Sequence, residues 1–229
     1  MSDNKDTWVI IPVYNEEKVI AQVITELLPA FPHVVCVDDG SADASASEIA
    51  ATGAHLVRHP VNMGQGAALQ TGLAYALARP GSRFFVTFDA DGQHRVSDAA
   101  RMVDVARRGD VDAVLGSRFL ERTTTTVPWL KRVVLRIAAL LSRSGRRLKL
   151  TDAHNGLRVL ARPVAERLQI RMNGMAHASE IVANLARGDW RVVEVPVTIL
   201  YTDYSRAKGQ SLVNGVNILF DLSMRNRRI

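Results

Sequence analysis

The chain has a single cysteine, Cys36, among its 229 residues, so no disulfide can form within it. The setting of that cysteine, in the apolar run Val34-Val35-Cys36-Val37, marks it as a small buried hydrophobe. No apolar run reaches the roughly 18–20 residues that a membrane-spanning helix needs. Residues 1–7 are polar and carry no signal-peptide core. A soluble or membrane-peripheral chain in a reducing compartment is therefore expected. The glycine-rich stretch Asn62-Met63-Gly64-Gln65-Gly66-Ala67-Ala68 has neither the G-x-G-x-x-G of a dinucleotide site nor the G-K-[S/T] of a P-loop. Helix-turn-helix, RNP and zinc patterns are also absent, which argues against a nucleic-acid module despite a formal charge of +6. There is no internal repeat and no low-complexity linker. One domain is expected over 1–229, with a core at 8–200 and a C-terminal loop and amphipathic helix at 201–229.

Hydrophobic residues make up 47 % of the chain, too many for a disordered segment and enough for a sizeable core. In the first half, short β-branched runs at 8–13, 34–37, 55–58, 83–88 and 113–116 alternate with helix-like segments at 17–28, 44–51, 66–78 and 97–107. Continuous apolar strands imply burial on both faces, and strand–helix alternation implies an α/β fold with a mostly parallel central sheet and helices on both sides. In such folds ligands bind at the carboxyl ends of the strands. The polar clusters at 14–16, 38–41 and 89–91 each follow a strand candidate, which would gather them at that one edge. After residue 118 the pattern loosens. Segments 128–143 and 212–224 read as amphipathic helices, the first with Arg132, Arg136 and Arg143 in one narrow sector. Such a helix can lie on a membrane with its arginines at the headgroups, or pack on a core with a basic outer face.

The cluster richest in chemistry is Asp89-Ala90-Asp91-Gly92-Gln93-His94, directly after the apolar run Phe84-Phe85-Val86-Thr87-Phe88. Two carboxylates one residue apart can hold a divalent cation against a diphosphate, since Mg²⁺ takes one or two carboxylates plus substrate phosphates. Acids at loop ends also cap helices or face water. In Ile11-Pro12-Val13-Tyr14-Asn15-Glu16, Tyr14 could stack on a ring and Glu16 accept from a hydroxyl, or the acid and amide could simply start the next helix. Asp38-Asp39-Gly40-Ser41 could accept from a base N–H and ribose hydroxyls, although Asp-Gly is also turn chemistry. The glycine-rich stretch at 62–68 reads as tight packing at a helix start before it reads as a phosphate cradle. Arg118, in Gly116-Ser117-Arg118-Phe119, could clamp a phosphate. Thr151-Asp152-Ala153-His154-Asn155-Gly156-Leu157-Arg158 is a second polar cluster, and Arg206 and Lys208 add positive charge to a glycine-containing loop.

Taken in order, IPVYNE, VDDGS, NMGQGAAL, DADGQH, GSRF, TDAHNGLRVL and the RAKGQS loop resemble the family 2 glycosyltransferases, in particular the dolichol- or polyprenyl-phosphate mannosyltransferase and glucosyltransferase branch. The resemblance spans about 8–215. It implies a GT-A (Rossmann-like) fold with C-terminal amphipathic helices, a nucleotide-diphospho-sugar donor such as UDP-glucose or GDP-mannose, and Mg²⁺ or Mn²⁺. Residue by residue, it implies that Pro12, Tyr14, Glu16, Asp38 and Asp39, together with Asp89 and Ala90, line the nucleotide-sugar site. Asp89, Asp91 and Gln93 form the metal and diphosphate site. Arg118 meets the acceptor phosphate or donor, and Asp152 stands where a catalytic carboxylate is often placed. Arg206 and Lys208 neutralise the pyrophosphate, although their spacing departs from the R-x-x-G-x-S-K pattern of the mannosyltransferases. The expected reaction is inverting hexose transfer to a polyprenyl phosphate, with Asp91, Asp152 and Arg118 as the residues carrying it. The expected place is the cytoplasmic face of a membrane, reached through amphipathic helices or a small anchoring protein. A family 2 enzyme acting on a glycan hydroxyl is the alternative.

Overall fold

Strand β1 (Thr7–Val13) is buried along its whole length, and its side chains alternate between two cores. Val9, Ile11 and Val13 enter one, Trp8 and Ile10 the other. The structure, a computed structural model, describes residues 4–120, 147–174 and 176–200. Helices α1 (Ile20–Leu27), α2 (Ser45–Ala50) and α4 (Val96–Arg107) close the first core, where Ile24, Leu27, Ile49, Met102 and Val103 meet the sheet. Helices α3 (Gln65–Leu77), α5 (Arg162–Arg167) and α6 (Ala176–Arg187) close the second, through Leu69, Leu73, Val164, Ile181 and Leu185. Each fully buried side chain of this size stabilises the fold by about 1.5–3 kcal/mol. Helix α3 comes unusually near β1, because a methyl group on Gly72 would meet Ile10 Cγ2 at 2.4 Å.

The remaining strands are β2 (His33–Asp38), β3 (His55–Arg58), β4 (Phe84–Thr87), β5 (Ala113–Ser117), β6 (Arg158–Ala161) and β7 (Val192–Pro196). They form one seven-stranded sheet in the order β3-β2-β1-β4-β6-β5-β7. β6 pairs antiparallel with both β4 and β5, and every other pairing is parallel. Six strands therefore end at the same edge, and β6 begins there.

The five expected strands form within one or two residues of their predicted bounds. Helix α1 starts at Ile20 rather than at 17 because the preceding loop is laced to another loop. Asn15 N–H donates to Ser41 Oγ (3.0 Å), Glu16 N–H to Ser45 Oγ (2.8 Å), and Ala44 N–H to Glu17 Oε2 (2.9 Å). Asn15 takes a left-handed backbone (φ 54°), which amide side chains tolerate, and its Oδ1 accepts from Ala42 N–H at 3.0 Å. Sequence reading did not foresee β6, β7, α5 and α6. The amphipathic segments at 128–143 and 212–224, and the loop with Arg206 and Lys208, lie outside the described residues.

Candidate active site

The loops after β1, β2, β4 and β5 bring the polar clusters to the carboxyl edge of the sheet. Asp89 and Asp91 follow β4. Asp89 keeps 32 % of its side-chain surface exposed and rests on Gly156 of the loop before β6. His94 Nε2 donates to its Oδ2 at 2.9 Å, and Gln65 Nε2 approaches its Oδ1 at 3.3 Å. Burial would push the Asp89 carboxyl up, but the His94 hydrogen bond and the charges of His94 and Arg158 outweigh it and hold it below the ordinary carboxylate range. Asp91 behaves oppositely. Burial, then the negative charge of Asp89, raise it to about 6, against the opposing hydrogen bond from Gln93 N–H (3.1 Å). A carboxylate whose ionisation is disfavoured by a neighbouring carboxylate is chemically suited to share a cation with it. Among the described residues no group of three or more His, Cys, Asp and Glu converges as a metal cage. This edge could therefore supply two carboxylates and leave the other positions to a ligand's phosphates, the usual arrangement for Mg²⁺. Ala90, between the acids, packs its side chain into the first core. Gln93 is buried, and its carbonyl accepts from Leu200 N–H at 2.9 Å.

Asp38 and Asp39, at the end of β2, are both buried, and each carboxylate already holds partners. Asp38 accepts from Ser41 N–H (3.1 Å) and from Arg58 Nε (3.0 Å). Asp39 accepts from His59 Nδ1 (2.7 Å), Met63 N–H (2.9 Å) and Gly64 N–H (2.7 Å). His59 in turn meets Thr71 Oγ1 through Nε2 at 2.9 Å. Asp39 thus clamps the glycine-rich entry to α3. That entry is tightly packed, as sequence reading favoured: a methyl on Gly66 would meet Met172 O at 2.0 Å, and Gly64, at φ +93°, sits against Asn173. Beside the two acids lies an open cleft of about 410 Å³, lined by Gly40, Ser41, Arg58, His59 and Pro60. Pro12 is buried in β1, paired with Val37, while Tyr14 is 46 % exposed at the strand end. Glu16 is close enough for its charge to act on Asp91.

Arg118 and Asp152 come together as a bidentate pair. Arg118 Nε donates to Asp152 Oδ2 at 2.6 Å and Nη2 to Oδ1 at 2.7 Å, with Arg118 N–H on Oδ2 at 3.1 Å. Asp152 is 3 % exposed. Burial pushes its carboxyl up, and the Arg118 charge and hydrogen bonds more than reverse this, holding it below the ordinary range. Glu194 of β7 braces the loop, accepting from Thr151 N–H and Asp152 N–H, each at 2.8 Å. His154 is driven to about 4 by burial and so is neutral at ordinary pH.

Sequence reading passed over Glu194 and gave no role to Gly156 and Arg158 within the cluster at 151–158. An acid inside the apolar run Val192-Val193-Glu194-Val195 was a usable signal, whereas the contact of Gly156 with Asp89 had none.

Comparison with known proteins agrees with this architecture. Residues 8–169 match the model of glycosyl transferase family 2. The chain is 30 % identical over 244 residues to the UDP-N-acetylglucosamine–dolichyl-phosphate N-acetylglucosaminyltransferase of Methanococcus voltae, covering 96 % of each chain. It is 31 % identical over 224 residues to the polyprenol monophosphomannose synthase of Mycolicibacterium smegmatis, covering 93 % of this chain and 82 % of that one. Glucosyl-3-phosphoglycerate synthase from Mycobacterium tuberculosis, solved with Mn²⁺ and UDP-glucose, superposes with a TM-score of 0.68 at 19 % identity, over 93 % of this chain and 79 % of that one. With 162 of its residues under the family model (8 through 169) and a sheet of the GT-A kind, the chain belongs to glycosyl transferase family 2 and is a glycosyltransferase.

Proposed function

We propose that this glycosyltransferase moves a hexose, with inversion, from a nucleotide-diphospho-sugar to a polyprenyl phosphate at the cytoplasmic surface of a membrane. The observation that carries the reading is the pairing of Asp89 and Asp91, where burial and then the charge of Asp89 raise Asp91 to about 6, at the same sheet edge as the Arg118–Asp152 clamp. The names of the Methanococcus and Mycolicibacterium relatives support a lipid-phosphate acceptor, and the Mn²⁺–UDP-glucose complex of the structural neighbour supports a metal-bound nucleotide-sugar. No described helix is long and apolar enough to cross a membrane.

In this reading the base and ribose enter the cleft beside Ser41 and Arg58, shaped from behind by Asp38 and Asp39 and flanked by Pro12, Tyr14 and Glu16. Asp89 and Asp91, with Gln93 closing the loop, hold Mg²⁺ or Mn²⁺, which when bound supplies Lewis-acid neutralisation of the leaving diphosphate. Arg206 and Lys208 add to that neutralisation. Arg118 orients the acceptor phosphate. An oxygen of that phosphate attacks the anomeric carbon, the bond from this carbon to the donor's β-phosphate oxygen breaks, and the nucleoside diphosphate leaves with the electron pair. A phosphate monoester has its second pKa near about 6, so the nucleophile is already anionic and needs no general base. Asp152, with both oxygens on Arg118, positions the arginine rather than taking a proton.

The test is calorimetric titration of UDP, GDP and their sugars, with and without Mn²⁺, followed by transfer assays with polyprenyl phosphate and with glycan acceptors. Metal-dependent binding of one nucleotide, lost in Asp91→Ala, and transfer to the lipid phosphate are expected. Absence of nucleotide binding with Mn²⁺ present, or transfer to a glycan hydroxyl alone, would refute the reading.

A further inference from the structure

Arg158 opens β6, the strand that runs against all the others. Reversal of that one strand places its first residue at the edge where the other six end, between Thr87 of β4 and Leu115 of β5 in register. The side chain is only 2 % exposed and among the largest fully buried, and its Nη1 and Nη2 are buried without a hydrogen-bond partner among the described residues. A guanidinium so placed is costly to the fold. Buried polar atoms without partners lose their hydration with nothing in return, and an apolar side chain of the same volume would be cheaper. Burial lowers the Arg158 pKa to about 10, against the charges of Asp89 and Asp152, which both favour its charged form, and its charge also acts on His154 and His177. The two chain segments involved are also locked together. Gly156, two residues before Arg158, supports Asp89, and its carbonyl accepts from Thr87 Oγ1 at 2.6 Å.

The charge balance gives this outlier a purpose. The bidentate Arg118–Asp152 pair is neutral by itself, and Glu194 bonded to the same loop adds a negative charge. An anion would be repelled from that group unless a further positive charge lay behind it. On the other side, Asp89 and Asp91 alone attract a cation strongly, and a buried positive charge moderates that attraction. We infer that Arg158 is a positioning residue whose buried charge sets the electrostatic balance between the two halves of the site, strengthening anion binding at Arg118 and weakening cation binding at Asp89 and Asp91. The inference rests on the reading of those residues given under the proposed function.

The consequence is a pair of effects with opposite signs, which loss of packing cannot produce. In Arg158→Met and Arg158→Gln, affinity for Mn²⁺ alone, followed by electron paramagnetic resonance of the free ion, should rise about fivefold or more. The KM for polyprenyl phosphate should rise by a similar factor, a floor left by solvent screening, since one unit charge at about 8 Å and an effective dielectric near 20 corresponds to about 30-fold. Arg158→Lys should stay near wild type in both. The inference is overturned if the folded neutral variants weaken both affinities together or leave both unchanged, or if Arg158→Lys behaves like them. It is also overturned if neither neutral variant folds, since Arg158 is then a structural residue. A wild-type protein that binds no Mn²⁺ at all would bring down the underlying reading of Asp89 and Asp91 first. Binding in wild type followed by parallel losses in the variants would bring down this inference alone.

Discussion

Replacing Gly156 by alanine tests how tightly the fold holds the Asp89 carboxylate. Gly156 lies in the loop before β6, and its backbone is not in the left-handed region, so alanine brings no conformational strain of that kind. The added methyl would stand 2.1 Å from Asp89 Oδ2 and 2.6 Å from its Cγ, against an ordinary contact that begins at 3.4 Å. The nearer oxygen must therefore retreat by about 1.3 Å (3.4 less 2.1). The obstruction is the end of a side chain, so the loop can stay in place while Asp89 rotates away and strains or breaks its 2.9 Å bond to His94. Global stability should fall by about 1–3 kcal/mol, the range for overpacking. A misplacement near 1 Å typically costs a reacting site about 100-fold. Gly156→Ala should thus lose about two orders of magnitude in metal-dependent nucleotide affinity or turnover while unfolding cooperatively within several degrees of wild type. Calorimetric titration of nucleotide with Mn²⁺, paired with thermal melting, reads both. A folded Gly156→Ala protein that binds nucleotide and Mn²⁺ as wild type does would refute both the placement of Asp89 and its assignment as a cation ligand.

Three further outcomes are expected. Asp39→Asn would replace one buried accepting oxygen with an NH2 group, which cannot accept from the N–H it faces, and would weaken the hold on His59, Met63 and Gly64. Charge-assisted hydrogen bonds contribute about 1.5–3 kcal/mol each, so denaturant titration should show a loss of at least about 2 kcal/mol, and a neutral result would deny Asp39 its clamping role. Because Asp91 is raised to about 6, a proton competes with the cation below that pH. Mn²⁺ affinity should be full above pH 7 and fall steadily as pH drops through 6, a dependence that calorimetry should find missing in Asp91→Asn along with most of the binding. Cys36 is wholly buried and its thiol is pushed up by burial, so a thiolate-selective reagent should label it only on unfolding, and rapid labelling of the native protein would contradict its place in the first core.

The class of the fold and the edge where the chemistry gathers were legible in the string of residues. The β-branched runs around Ile10, Val35 and Val86 are local signals, and a strand buried on both faces needs an apolar residue at every position. The order of the motifs was likewise sufficient to indicate the family, because each motif is a contiguous string. Partnerships between distant strings were not legible. Arg118 and Asp152 lie 34 residues apart and read as two separate polar positions, yet they form one bidentate pair. Asp39 read as a ligand contact, and its hold on the entry to α3 had no sign in the string. The antiparallel β6 had no distinguishing composition, since Arg158-Val159-Leu160-Ala161 suits a strand of either direction, and only its pairing with β4 and β5 decided which way it runs. That choice of direction sets Arg158 at the active edge and Gly156 beneath Asp89. Local propensity records what a segment can become, whereas the neighbours that satisfy or strand its polar atoms are fixed only when the sheet closes around them.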